Sequence, residues 1–170
     1  MPSQKIHALV NTPFDYKPDS EIEMLFLEFS KRIHENVHDV PFYLENAKNV
    51  FKAQYESKKL VSENMLDRDF VREVAFNKGG KTVICMCNLL NEKLSNEEYK
   101  LMHQLGGVAQ YLDDIFDLRE DYLEGRQTLA NPIQNASSLK RSFLDEIKNF
   151  KRNLEISAYT KSDKMAFFVP

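Results

Sequence analysis

The most chemically suggestive feature of the sequence is an acidic run that places five carboxylates within nine residues: Asp113, Asp114, Asp117, Glu120 and Asp121. Carboxylates one turn apart on a helix repel each other by about 0.2–0.5 kcal/mol per pair. A hard divalent cation would neutralise them, since such ions prefer oxygen ligands. The run therefore predicts a metal site with Asp113, Asp114 and Asp117 as its main ligands and Asp121 as the next candidate. A solvated acidic stripe is the alternative.

Helical geometry places the acidic residues on one face. At about 100° per residue, one arc holds His103, Gly106, Gly107, Gln110, Asp113, Asp114, Asp117 and Asp121. The opposite side is apolar, with Leu101, Leu105, Val108, Leu112, Ile115, Phe116 and Leu123. Glycine in a helix is less favourable than alanine by about 1 kcal/mol. The glycine pair therefore indicates that a ligand or another backbone lies close to this face.

The segment Asp113–Asp117 reads Asp-Asp-x-x-Asp. Its first and last carboxylates lie one turn apart and point the same way, so two such groups can share bridging Mg²⁺ ions. Mg²⁺ is usually held by one or two carboxylates together with water and substrate phosphate oxygens. This spacing suits a diphosphate ligand whose departure the metal would assist.

A longer pattern around this segment resembles the class I isoprenoid synthase superfamily. Gln110-x-x-Asp113-Asp114-x-x-Asp117 is similar to the second aspartate-rich motif of trans-polyprenyl diphosphate synthases. Asp117-x-x-Glu120-Asp121-x-x-x-Gly125-Arg126 is similar to the second motif of squalene and phytoene synthases. The resemblance covers roughly residues 76–130.

The resemblance implies an all-α antiparallel bundle around a deep apolar cavity, with metal ions at its mouth. It implies Mg²⁺, with Mn²⁺ as the alternative ion, and a prenyl diphosphate substrate. The expected activity is that of a terpenoid-synthase-like transferase in isoprenoid biosynthesis, acting by condensation, transfer or ionisation. Substrate chain length and the choice among elongation, head-to-head condensation and cyclisation stay open.

Four residues are expected to bind the substrate diphosphate. Lys81-Thr82 is similar to the Lys-Thr pair with which polyprenyl synthases contact it, and Gln110 and Arg126 would help to position it. The alternative for Lys78 and Lys81 is a pair of solvated surface lysines. The alternative for Arg126 is a favourable interaction with a helix C-terminus.

The sequence also departs from the family. The family uses two acidic motifs on facing helices, and the sequence contains no recognisable first motif. The chain of 170 residues is also shorter than a complete synthase of the family. We expect an incomplete copy of the fold, with a fragment favoured over a reduced relative that completes its site in an oligomer. The rival function is a non-catalytic helical interaction domain that keeps an acidic cation-binding helix.

Helical periodicity runs through almost the whole chain. We expect the chain to form a single domain. N-terminal helices are expected in residues 1–66, beginning at Ser20 and Asp39. A motif-bearing helix pair is expected in 67–126, with a kink at 78–82 in the first helix and a Ser95/Glu98 capping box opening the second. A loop with Pro132 and a final helix from about Ser138 to Ile156 occupy most of 127–170, which ends in an apolar segment.

Composition limits the function classes. The net charge is −3, so no basic face for nucleic acid is indicated. No apolar run reaches the ~18 residues of a membrane span, and the N-terminus does not read as a signal peptide. We expect a cytoplasmic protein; peripheral membrane contact and a homodimer stay open. Cys85 and Cys87 are read as buried free thiols, and His34 with His38 as a surface pair without a third metal ligand.

Overall fold

The fold is all-α in the computed structural model, which describes residues 8, 10–90, 93–133 and 135–159. The helices are α1 (Glu21–Asn36), α2 (Val40–Glu56), α3 (Arg68–Leu89), α4 (Asn96–Phe116), α5 (Leu118–Leu123) and α6 (Ala136–Ile156), and Ser57–Leu60 forms a 3-10 turn. No strand occurs within the described residues. The all-α prediction is confirmed. The apolar C-terminal segment of the sequence lies outside the described residues.

Side-chain caps set the helix starts. Ser20, Asp39 and Asp67 each accept backbone N–H groups of the first turn that follows them. The predicted capping box is present: Ser95 accepts from the Glu98 N–H, and the Glu98 carboxylate accepts from the Ser95 N–H. These caps satisfy N–H groups that a helix cannot pair internally. Local sequence therefore determined where four of the helices begin.

The acidic helix is divided at Asp117, although the sequence predicts one helix that ends at Gly125. Asp117 has φ −89° and ψ 8°, and it separates α4 from α5. Hydrogen bonds of 2.9 Å still join the Asp117 N–H to the Asp113 carbonyl and the Asp121 N–H to the Asp117 carbonyl. The one-turn spacing of the acidic residues therefore continues across the division. Gly125, at φ 67°, lies just after α5.

The antiparallel pair α3 and α4 makes the most extensive helix contact of the fold. A Cβ added to Gly79 would overlap the Gly106 carbonyl, and one added to Gly106 would overlap the Gly79 carbonyl. Gly107 likewise faces the ring of Phe76, and Gly80 faces the ring of His103. The glycines thus let the backbones of α3 and α4 approach each other. Of the two explanations for the glycine pair, the structure supports a neighbouring backbone rather than a ligand. The space beside them is filled by the facing helix.

The helix α3 continues without interruption through residues 78–82, where the sequence predicts a kink. The close approach of α4 supplies another reason for glycine at these positions, since any side chain there would separate the helices. Thr82 donates to the Lys78 carbonyl at 2.9 Å, so its hydroxyl is used within the helix.

The helix α6 crosses the C-terminal half of α4 and holds it in place. Tyr111, which is almost completely buried, donates to the Ser142 hydroxyl at 2.9 Å, and its ring lies edge-on to Phe143 at 5.6 Å. Arg72 of α3 forms an ion pair of 2.9 Å with Glu146. These contacts tie α3, α4 and α6 together immediately below the acidic residues.

The loop after α5 folds back onto the helices, whereas the sequence indicates only a loop. The Gln127 N–H donates to the Leu60 carbonyl at 2.8 Å. Thr128, Leu129 and Ala130 are buried, and Leu129 and Ala130 belong to the same hydrophobic cluster as Tyr111. This return of the chain covers the inner side of α4 near Asp114.

Several expected apolar faces are buried only in part. On α1, Leu27 and Ile33 are buried, but Leu25 and Phe29 are exposed. On the apolar side of α4, Leu101 and Val108 are buried. Further along the same side, Phe116 and Leu123 are mostly exposed. Amphipathic periodicity identifies which side chains share a face and does not reveal how much of that face a neighbour covers.

Candidate functional site

The predicted metal ligands Asp113 and Asp114 are joined by Gln110. Its side-chain Nε2 donates to Asp113 Oδ2 and to Asp114 Oδ1, both at 2.9 Å. One neutral amide thus satisfies one oxygen of each of two adjacent carboxylates. The structure brings these three sequence-predicted residues together, and it orients the amide nitrogen, rather than the amide oxygen, towards the carboxylates.

Asp114 is the buried member of the acidic run. Its residue exposure is 6%, and Oδ2 is buried without a hydrogen-bond partner among the described residues. Burial raises the pKa of Asp114, whereas the Gln110 hydrogen bond lowers it, as does the nearby Leu129 backbone N–H, which does not reach hydrogen-bonding geometry with Oδ2. Asp121 raises this pKa further by repulsion. A carboxylate in this condition gains most from an added cation, because burial without charge compensation is unfavourable.

Asp121 lies on α5, one turn beyond Asp117, and is paired with Arg126. The distance between Arg126 Nε and Asp121 Oδ1 is 3.0 Å, and Arg126 also contacts Glu124 at 3.0 Å. Burial raises the pKa of Asp121, and the Arg126 charge opposes that rise. Arg126 therefore belongs to the acidic cluster and neutralises part of its charge, and its predicted role in binding diphosphate stays a prediction.

Lys78 has an electrostatic influence on the carboxylates, since its charge lowers the pKa of both Asp114 and Asp121. The sequence predicts a diphosphate-binding role for Lys81, with a solvated surface as the alternative for both lysines. The signal that could have revealed the influence of Lys78 is the neighbouring Gly79, since the close helix crossing brings this turn of α3 beside Gln110.

The two other residues predicted to bind diphosphate contact different parts of the structure. Lys81 donates to the Tyr99 hydroxyl at 2.8 Å and lies 5.3 Å from the centre of that ring. Tyr99 is in the first turn of α4, more than three turns before Asp113. The Thr82 hydroxyl is bonded within α3. The structure therefore places Lys81 and Thr82 apart from the carboxylates that it gathers around Asp114.

A half-buried polar pair, His103 and Asn77, lies beside Lys81. His103 Nε2 is 3.1 Å from Asn77 Oδ1, and burial lowers the His103 pKa, with a smaller contribution from the Lys81 charge. His103 shares the predicted arc of α4 but packs against Gly80 of α3. Its ring is thus part of the helix contact.

The carboxylates do not form a ready-made metal cage. Within the described parts of the chain, no group of three or more His, Cys, Asp or Glu side chains is arranged to hold a metal ion. Asp113 and Asp117 are exposed, and Asp114 is buried. Mg²⁺ needs only one or two protein carboxylates when substrate phosphates and water supply the remaining ligands. The all-oxygen donor set and the unpaired Asp114 Oδ2 fit that type of site.

Five cavities between the helices have volumes of about 110 to 360 Å³. None of these five is lined by Asp113, Asp114, Asp117 or Asp121. Lys81 lines the cavity of about 360 Å³ between α2 and α3, together with Lys52. Two of the four carboxylates, Asp113 and Asp117, are exposed to solvent, as are the apolar side chains of Phe116 on α4 and Leu123 on α5.

Comparisons of the chain with protein-family models, with curated proteins and with solved structures find no match. Among the described helices, none combines the length and the apolar character needed to cross a membrane. What the chain binds is therefore inferred from its own side chains.

Proposed function

We propose that this chain binds a prenyl diphosphate through Mg²⁺ held by Asp113, Asp114 and Asp117, in support of isoprenoid transfer or ionisation chemistry. The observation that carries the proposal is Asp114, whose buried Oδ2 has no hydrogen-bond partner in the described structure. A stable fold rarely leaves a buried carboxylate oxygen unpaired, and such an oxygen beside further carboxylates is well suited to a cation.

The basic residues around the cluster support a diphosphate as the ligand that accompanies the metal. Lys78 acts on both Asp114 and Asp121, and Arg126 contacts Asp121 directly. Ammonium and guanidinium groups beside metal-binding carboxylates provide donors for phosphate oxygens. In this proposal Lys78 takes the role that the resemblance suggested for Lys81, and Arg126 keeps its role.

Gln110 leaves one oxygen of each carboxylate open to a metal, since it contacts only Asp113 Oδ2 and Asp114 Oδ1, and it would have to move only if the ion also took those two oxygens. Its Nε2 is a donor and cannot ligate a cation. The bound ion would neutralise the diphosphate and so favour its departure from the prenyl carbon. Asp121, one turn beyond Asp117, would be a further metal ligand, and the ion pair with Arg126 already neutralises part of its charge.

Isothermal titration calorimetry tests the proposal with the full chain, MgCl₂ and a non-hydrolysable prenyl diphosphate. We expect binding that requires Mg²⁺ and is lost in Asp114→Asn and in Asp113→Ala/Asp117→Ala. Asp145→Asn on α6 is the matched control, because Asp145 is an exposed carboxylate that contacts only Lys148 in the described structure. Absence of Mg²⁺-dependent binding, or equal binding by the two acidic-helix variants, would contradict the proposal.

The second candidate is a non-catalytic binding domain, and the surroundings of the acidic cluster favour it. None of the five cavities described above is lined by these carboxylates, and Asp113 and Asp117 are exposed. Inorganic diphosphate distinguishes the two candidates in the same titration. Equal affinities for inorganic diphosphate and the prenyl diphosphate analogue would favour the binding domain, whereas tighter binding of the prenyl analogue would favour the transferase.

A further inference from the structure

The helix α1 carries an exposed apolar stripe of four residues: Ile22, Leu25, Phe26 and Phe29. Their spacing of i, i+3, i+4 and i+7 places them along one line of a helix. Each is more than half exposed. The residues of α1 that are buried instead are Glu23, Leu27, Ser30 and Ile33, so the helix uses a different face to pack against its own chain.

The stripe continues onto α2. Phe26 and Phe29 share a groove of about 110 Å³ with Phe51, which is 67% exposed. A large side chain that is half to two-thirds exposed presents roughly 100 Å² to water. The five side chains together therefore expose roughly 500 Å², near the upper limit for one apolar patch on a monomer. A stable interface needs about 800 Å² per partner, which this patch and a polar rim would supply.

We infer that this patch is an interface between two copies of the chain, with the α1 helices packed antiparallel about a two-fold axis. An antiparallel arrangement opposes the helix dipoles. It also places the acidic N-terminal turn, with Glu21, against the half of the other copy's helix that carries Lys31 and Arg32. A two-fold axis makes this pairing occur twice in one dimer.

The charges of α1 disfavour a lipid surface as the occupant. Membrane-bound amphipathic helices carry mainly Lys and Arg on their polar face. The helix α1 has four glutamates, Glu21, Glu23, Glu28 and Glu35, against two basic residues, Lys31 and Arg32. A second copy supplies both the apolar area and the complementary charge, independently of the proposed diphosphate site.

Sedimentation equilibrium of the full chain over a wide concentration range tests the interface. We expect a monomer–dimer equilibrium in which Leu25→Glu or Phe29→Glu raises the dissociation constant by about 30-fold or more. The control is Leu123→Glu, since Leu123 is 73% exposed and Leu25 is 72% exposed. Circular dichroism confirms that each variant remains folded. A monomer at all concentrations, or a dimer that is insensitive to both α1 variants, would overturn the inference.

Charge reversal tests the antiparallel arrangement. Glu21→Arg and Arg32→Glu should each weaken the dimer at low salt, and the double variant should recover affinity because the opposite charges again face each other. No recovery in the double variant would overturn the antiparallel pairing. Vesicles of neutral and of anionic phospholipid provide the other comparison: binding of the monomer to vesicles without dimer formation would overturn the assignment to a second copy.

Discussion

Gly79 and Gly106 meet backbone to backbone where α3 crosses α4, so that a Cβ on either would overlap the carbonyl of the other. This contact determines the distance between the two helices. It also brings the turn that contains Lys78 beside Gln110, because Gly79 lies against the Gln110 side chain. The position of Lys78, whose charge lowers the pKa of both Asp114 and Asp121, thus depends on two residues without side chains.

Gly106→Ala is expected to destabilise the protein. Alanine normally stabilises a helix by about 1 kcal/mol relative to glycine, but here the methyl group meets rigid backbone, and overpacking of this kind lowers the free energy of unfolding by about 1–3 kcal/mol. Urea denaturation followed by circular dichroism measures the change. Gly107→Ala is the comparison, since its methyl group meets only the Phe76 ring, and we expect a smaller loss. A more stable Gly106→Ala variant would contradict the close crossing.

Asp114→Asn is expected to stabilise the metal-free protein at neutral pH. Burial raises the folded-state pKa of Asp114 above its ordinary value of 3.8, so the protonated form is favoured by folding. The associated stability is complete below the ordinary pKa and is lost as the pH rises through the folded-state pKa. Asparagine remains uncharged at every pH. The Asp114→Asn variant should therefore become more stable than the wild type as the pH rises through the folded-state pKa of Asp114, and it should remain more stable at higher pH. The difference in melting temperature between the two proteins, measured from acid to neutral pH, tests this expectation.

The same Asp114→Asn variant should lose stabilisation by Mg²⁺ with diphosphate, which raises the melting temperature of the wild type in our proposal. The variant should therefore melt at a higher temperature than the wild type without ligand and gain nothing from Mg²⁺ and diphosphate. Both results together would show that Asp114 lowers the stability of the fold and contributes to ligand binding. An unchanged ligand effect in Asp114→Asn would instead remove Asp114 from the proposed site.

Lys78→Ala and Lys81→Ala form a matched pair one helical turn apart. Because Lys78 acts on Asp114 and Asp121, its removal should weaken Mg²⁺-dependent diphosphate binding about 10-fold, equivalent to about 1.4 kcal/mol. Lys81 is bonded to Tyr99, so its removal should leave that affinity within about twofold. Calorimetry of both variants shows which of the two lysines contributes to diphosphate binding. The reverse order of effects would restore the role that the family resemblance gave to Lys81.

Gln110→Glu is expected to make the protein more dependent on a cation. The substitution removes the N–H donors that satisfy Asp113 and Asp114 and adds a third carboxylate. The free energy of unfolding without metal should fall by about 1–3 kcal/mol, and added Mg²⁺ should recover more stability than it does in the wild type. Thermal unfolding with and without MgCl₂ measures both effects. An equal response to Mg²⁺ in the two proteins would argue against a metal beside Gln110.

Much of the local structure was predictable because it depends on neighbouring residues. Ser20, Asp39 and the Ser95–Glu98 pair identified helix starts through hydrogen bonds within a single turn. Helical spacing likewise placed Gln110 with Asp113 and Asp114. The division at Asp117 was not predictable from periodicity, since the acidic spacing continues on both sides of it.

The sequence by itself determined the all-α class, most of the helix starts and the gathering of carboxylates on one helical face, because caps and periodicity act over one or two turns. Only the tertiary structure decided that Asp114 is buried near the loop containing Leu129, that the Lys78 charge lowers its pKa, and that the glycines serve a helix crossing. Those outcomes depend on contacts between residues far apart in the chain. Helical spacing describes which side chains share a face, whereas burial and charge pairing depend on which other segment covers that face.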